Sequence, residues 1–144
     1  MHMVLGICLY PNCENKWESI DAMIRLAVHV IYVSHVFLDE FEQLNLIRLL
    51  YRSRPWLNSS ENGVIGALWK KEQCFSQEGG IKIYFIQSSC LQETVSLKQK
   101  IRDYCKLGKH SVHTTDNETE TLELAATVLD PSAFARLYLK IKNE

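Results

Sequence analysis

The chain lacks the short motifs that usually announce a chemistry. It has no Gly-x-x-x-x-Gly-Lys-Ser/Thr loop, no Gly-x-Gly-x-x-Gly, no His-Glu-x-x-His and no Gly-x-Ser-x-Gly. The familiar ATPases, dinucleotide oxidoreductases, zinc proteases and serine hydrolases therefore lose their signatures. None of the five cysteines (Cys8, Cys13, Cys74, Cys90, Cys105) is followed six residues later by arginine, which removes the cysteine phosphatase loop. No Cys-x-x-Cys occurs either, so neither a zinc ribbon nor a thioredoxin-type redox pair is indicated. The longest apolar stretch, Leu26 to Val33, is cut by His29 and falls far short of the roughly 18 residues of a membrane span. The opening Met-His-Met carries no basic region followed by an apolar core, so no secretory signal is expected.

Charge of one sign is missing as well. Sixteen Lys plus Arg against 17 Asp plus Glu leave a net charge of -1, which gives no general attraction to nucleic acid or an anionic membrane. The balance is uneven along the chain. Between Trp69 and Lys109 stand eight basic residues (Lys70, Lys71, Lys82, Lys98, Lys100, Arg102, Lys106, Lys109) against four acidic ones (Glu72, Glu78, Glu93, Asp103). Residues 110 to 130 reverse this, with five acids and no Lys or Arg. An odd number of cysteines in a chain that does not need staples points to free thiols and a cytoplasmic setting.

The 144 residues, 47% hydrophobic and 23% charged, match one globular domain with a real core, residues 1–144, with an irregular segment at about 53–80. Val4 to Tyr10 is an unbroken apolar run closed by Pro11-Asn12, which predicts a strand covered on both faces. Asn15 and Glu18 open a helix over about 16–27, with Trp17, Ile20, Ile24 and Ala27 on one face. Val28 to Leu38 is rich in β-branched and aromatic residues and reads as a strand, after which Asp39 opens a helix to about Tyr51. Ser53 to Gly80 holds Pro55, four glycines and two tryptophans, and Val64 to Trp69 is its only strand-like piece. Ile81 to Gln87 is a strand, followed by a helix that stops near Gly108, a strand at Ser111 to Thr115, a helix at Glu118 to Leu129, and a closing helix after Asp130-Pro131.

Strands alternating with helices favour an α/β fold, a three-layer Rossmann-like domain with a mostly parallel sheet; the rival is an α+β sheet made antiparallel by the middle segment. In a parallel sheet ligands bind beyond the carboxyl ends of the strands, near helix N-termini. That rule selects the loops at Tyr10 to Asn15, Leu38 to Glu40, Gln87 to Gln92 and Thr115 to Thr119, with Asn12, Cys13, Ser88, Ser89, Thr115 and Asn117 as ligand-binding candidates. His113 and Asp116 are the catalytic candidates. An imidazole titrates near neutrality and can act as a general base; Asp116 in this place is either a working carboxylate or the helix cap that aspartate commonly supplies. His110 reads as loop surface beside Gly108, and His29 and His35 as packing residues of an apolar strand. Cys13 and Cys90 precede helices, which would acidify a thiol; with His113 and Asp116 they would make only an unusual mixed metal set, so no metal or other cofactor is assigned.

Lys98, Arg102 and Lys109 could hold phosphate groups while Trp56 or Trp69 stacks on a base, although Lys98 and Arg102 also fit a plain solvated helix face. The expectation is a small cytoplasmic domain that binds a phosphorylated or otherwise anionic small molecule, with catalysis open. The alternative is a non-catalytic interaction or oligomerisation module, because the closing helix, with Phe134, Leu137, Tyr138 and Ile141, can pack on its own domain or on a second copy.

Overall fold

A computed structural model describes residues 2–58 and 65–143. Strand β1 (Met3–Leu9) leads through a 3-10 turn into helix α1 (Trp17–Ala27), strand β2 (His29–Val36) and helix α2 (Glu40–Leu50). After a second 3-10 turn (Pro55–Asn58) come α3 (Ile65–Cys74), β3 (Ile81–Ser88), α4 (Leu91–Cys105), β4 (Val112–Thr114), α5 (Glu118–Val128) and α6 (Pro131–Lys142). Local sequence explains most boundaries. Asp39 accepts from the Glu42 N-H while the Glu42 side chain accepts from the Asp39 N-H, a capping box that starts α2. Asp130 caps α6, with Pro131 at its first position.

The sheet corrects the Rossmann-like expectation. Its order is β2-β3-β1-β4, and β3 runs antiparallel to both β1 and β2, as β1 does to β4. The fold is α+β with a fully antiparallel four-stranded sheet. The alternation of strands and helices misled for a definite reason. Helix α1 does join two parallel strands, β1 and β2, and α4 joins β3 and β4, but each parallel pair is split by a strand of the other pair, so every hydrogen-bonded neighbour is antiparallel. Among its described residues the middle segment supplies no strand. Its strand-like piece is helix α3 from Ile65 onward, because Ala67 to Gln73 continue as good helix formers; Val64 lies outside the described residues.

Helices cover both faces, which is why β1 is buried from Val4 to Leu9. One layer packs Trp17, Ile20 and Ile24 of α1 and Leu97 and Ile101 of α4 against Leu5, Ile7, Leu9, Tyr84 and Ile86. The other packs α2, α3, α5 and α6 against Cys8, Ile83 and Phe85 through Leu46, Ile47, Ala67, Leu124, Val128 and Leu137. The short edge strand β4 lies where the layers meet. Among the described residues no helix is long and apolar enough to cross a membrane.

Candidate functional site

Beside β4 lies a cavity of about 200 Å³, walled by the end of α2, by Trp56, by α3, α4 and the start of α5. Its cations come from four parts of the chain: Arg54, Lys70 of α3, Lys98 and Arg102 of α4 one turn apart, and Lys109. His113 and Thr114 form its floor, and Asp116 and Glu120 stand at its acidic side. His113 pairs with Cys8 across the sheet, which turns its ring toward the α2 and α3 layer. There the ring meets Tyr51 edge-on, with centroids 4.9 Å apart. Protein encloses the imidazole on nearly all sides, yet part of it opens on the cavity. Burial and the surrounding charges of Lys98, Lys70, Arg102 and Arg54 push its pKa down to about 3, so the ring is neutral at physiological pH, with a free nitrogen lone pair.

Two buried polar atoms on this wall, Arg102 Nε and Thr114 Oγ1, have no hydrogen-bond partner among the described residues. Buried polar groups are rarely left unpaired, and both residues line a cavity able to hold a polar ligand. Like charges of this density repel one another, so the cavity attracts anions.

An aromatic cleft of about 490 Å³ adjoins it, lined by Trp56, Trp69, Leu107, Gly108 and His110 and sharing Lys70 and Lys109 with the basic cavity. Trp69 is edge-on both to Trp56, at 6.4 Å, and to His110, at 5.4 Å. Gly66 makes this wall possible, since a Cβ there would stand 2.0 Å from the Trp56 carbonyl oxygen. The indole nearest the phosphate-sized cavity is thereby held against α3. Lys70 is buried between the two spaces and donates to Lys109 O and His110 Nδ1, each at 2.9 Å.

The loops chosen by the parallel-sheet rule do not converge, for the reason that overturned the fold: β1 and β2 finish at one end of the sheet, β3 and β4 at the opposite end. Leu9 faces Lys82 and Val112, whereas Met3 faces Ser88. Of the eight residues singled out, His113 and Asp116 share the basic cavity. Thr115 borders a neighbouring one of similar size, about 220 Å³, but its hydroxyl is engaged by Gly6 N and Thr121. Asn117, not Asp116, caps α5, accepting from the Glu120 N-H at 2.8 Å. Ser88 and Ser89 bond within the start of α4, to Cys90 O and Glu93. Asn12 supports the site from behind by donating to His110 O and Gln73 O. Cys13 is buried, its thiol donating to Tyr10 O and Ser111 O, and Cys90 is exposed at the head of α4. Among the described residues no group of three or more His, Cys, Asp or Glu is placed to hold a metal ion.

Lys98, Arg102, Lys109 and the two tryptophans do come together, and His110 leaves the loop surface for the cleft wall. Tyr51, Arg54 and Lys70 are additions from the structure. A tyrosine-to-tryptophan run at a helix exit, Tyr51 to Trp56, was a usable signal for the first two; nothing local marks Lys70 among its neighbours.

The chain shares the fold of two nucleoside diphosphate kinases. One is from Aquifex aeolicus, with a TM-score of 0.55 and 11% identity over 88% of this chain and 94% of that one. The other is from Pyrobaculum aerophilum, with a TM-score of 0.56 and 12% identity over 92% and 98%. At such identities the likeness concerns the fold. No family model and no curated protein sequence matches the chain.

Proposed function

We propose that the chain binds a nucleoside di- or triphosphate, phosphates in the basic cavity and base in the aromatic cleft, and that His113 takes up the terminal phosphoryl group. The observation that carries this reading is the neutral imidazole on the floor of a cavity whose other charged groups are mainly cations. A histidine kept unprotonated is a nucleophile, and fixed cations around the transferring group stabilise the charge that spreads over its oxygens. The nitrogen lone pair attacks the terminal phosphorus, the bond to the bridging oxygen breaks, and the leaving diphosphate keeps that electron pair. A diphosphate oxygen of a second nucleotide then attacks the phosphoimidazole and returns the ring to its neutral state. The kinases that share the fold act, by their names, on nucleoside diphosphates, which agrees with this substrate class.

The test is incubation with a nucleoside triphosphate labelled on its terminal phosphate. Acid-labile, alkali-stable label on His113, absent from His113→Gln, is the expected result. A wild-type chain that binds nucleotide by calorimetry yet takes no label would leave a binding domain without transfer. No binding of any nucleotide would overturn the reading as a whole.

A second reading, self-association, is favoured by strand β2. Among the described residues it pairs with β3 alone at the border of the sheet, and Phe37 and Phe41 just beyond it are 71% and 84% exposed. Light scattering at micromolar concentration should give a mass above that of one chain, and a strictly monomeric profile would remove the idea.

A further inference from the structure

The aromatic cleft is one-sided in its hydrogen bonding, and this bears on which base it would take, given the nucleotide reading above. The backbone carbonyls of residues 107–110, which line it, each already accept one hydrogen bond within the protein. Leu107 O accepts from His110 N at 3.3 Å, Gly108 O from Ser111 Oγ at 3.1 Å, Lys109 O from Lys70 Nζ at 2.9 Å and His110 O from Asn12 Nδ2 at 2.8 Å. No carboxylate, amide or hydroxyl side chain lines the cleft among the described residues. Lysine ammonium and indole N-H groups only donate.

His110 alone could donate or accept, and Lys70 decides which. An ammonium has three N-H bonds and no lone pair. Lys70 spends one on Lys109 O and one on His110 Nδ1, and its charge lies 5.0 Å over the ring of Tyr51. The Nδ1 atom of His110 must therefore accept, which puts the ring proton on Nε2. Burial, with the charge of Lys70 beside it, also holds this imidazole neutral by lowering its pKa. The ring then offers a donor and no free acceptor.

We propose that the cleft selects bases that present carbonyl oxygens, the 6-oxopurines and 4-oxopyrimidines, over bases that present amino groups at the same edge, and that Lys70 is the positioning residue that makes His110 the discriminating donor. Guanine offers O6 and N7 as acceptors and a 4-oxopyrimidine offers O4, whereas adenine and cytosine turn an exocyclic N-H toward the donors. A donor turned toward another donor is rejected more strongly than a missing apolar contact.

The test is calorimetric titration with GDP, ADP, UDP and CDP. GDP should bind about tenfold more tightly than ADP, and UDP about tenfold more tightly than CDP, the size expected for one unmade hydrogen bond. In Lys70→Met the ring of His110 is free to take either tautomer, so both ratios should fall to within about twofold. Histidine nitrogen spectra of the wild-type protein report the tautomer independently of that variant's folding: Nε2-H is expected, and Nδ1-H overturns the proposal. Binding of all four nucleotides with equal affinity, or with the amino bases preferred, overturns the selectivity and leaves the nucleotide reading intact. No binding by any of the four, with none by pyrophosphate, removes both.

Discussion

The basic cavity and the aromatic cleft share Trp56, Lys70 and Lys109, yet their chemistry is opposite. In the cavity, cations crowd around a nearly enclosed imidazole, and two polar atoms stand unpaired on the wall. In the cleft the walls are indole rings, the carbonyls of residues 107–110 each already accept a hydrogen bond, and His110 is left with a donor. The two histidines repeat the contrast. Both are kept neutral, His113 by burial and four surrounding cations and His110 by burial and the single charge of Lys70. Electrostatic attraction thus belongs to one space and shape with orientation to the other, and a lysine that uses its protons on the protein divides them.

The largest test of that division is the response to acid. The folded His113 titrates at about 3 against an ordinary 6.5, so between these values the unfolded chain binds the proton that the native chain refuses. Stability from this group is fully present above the unfolded pKa and is lost as pH falls, by about 1.4 kcal/mol per unit at most. Denaturation midpoints measured from pH 7 to 4 should show this slope, and His113→Gln should flatten it; an unchanged slope would mean that His113 is not the group held neutral.

The next effect concerns the cations. Arg102→Ala should weaken pyrophosphate binding by about tenfold to a hundredfold, because a charge-assisted contact is lost, and should raise the His113 pKa by removing a nearby positive charge. Both are readable by calorimetry and by histidine titration in NMR. Trp56→Ala should act on the other space, lowering nucleotide affinity by about tenfold, the value of one stacking contact, while pyrophosphate binding stays within twofold. If the two substitutions weaken both probes alike, the division between the spaces fails.

The smallest effect is at Asp116. It is exposed and does not cap α5, so Asp116→Asn should leave the melting temperature unchanged and raise pyrophosphate affinity by about twofold through loss of a negative charge at the mouth. Asn117→Ala is its counterpart, costing about 1 kcal/mol of stability as the true cap and leaving affinity unaltered.

Local chemistry was legible to a good degree. Apolar or β-branched runs marked β1, β2 and β3, the short β4 was read at Ser111 to Thr115, Asp39 and Asp130-Pro131 opened their helices, and His113 and Asp116 emerged from a strand-to-helix junction. The cap at that junction falls one residue later, at Asn117, whose backbone is extended and whose side chain accepts from the Glu120 N-H; aspartate and asparagine compete equally for the role. Asn12, Ser88 and Ser89 were grouped with the site by a rule for parallel sheets; Ser88 and Ser89 bond at the start of α4 instead, while Asn12 reaches the cleft wall through His110 O. Helix α3 was hidden behind Val64 and Ile65, whose β-branching mimics a strand, while its fate was decided by Gly66 seated against the Trp56 carbonyl.

The order of residues by itself determined where most strands and helices lie, which faces are apolar, that the charge is nearly balanced overall but basic in one stretch, and that the common catalytic loops are absent. All of these follow from spacing over a few residues. Tertiary structure alone decided that the two strand-helix-strand units interleave, because strand order depends on packing between segments far apart in the chain. The same packing carries Arg54, Lys70, Lys98, Arg102 and Lys109 from four parts of the chain to one imidazole on an edge strand, and the pKa of that imidazole is a property of its neighbours and of no local sequence.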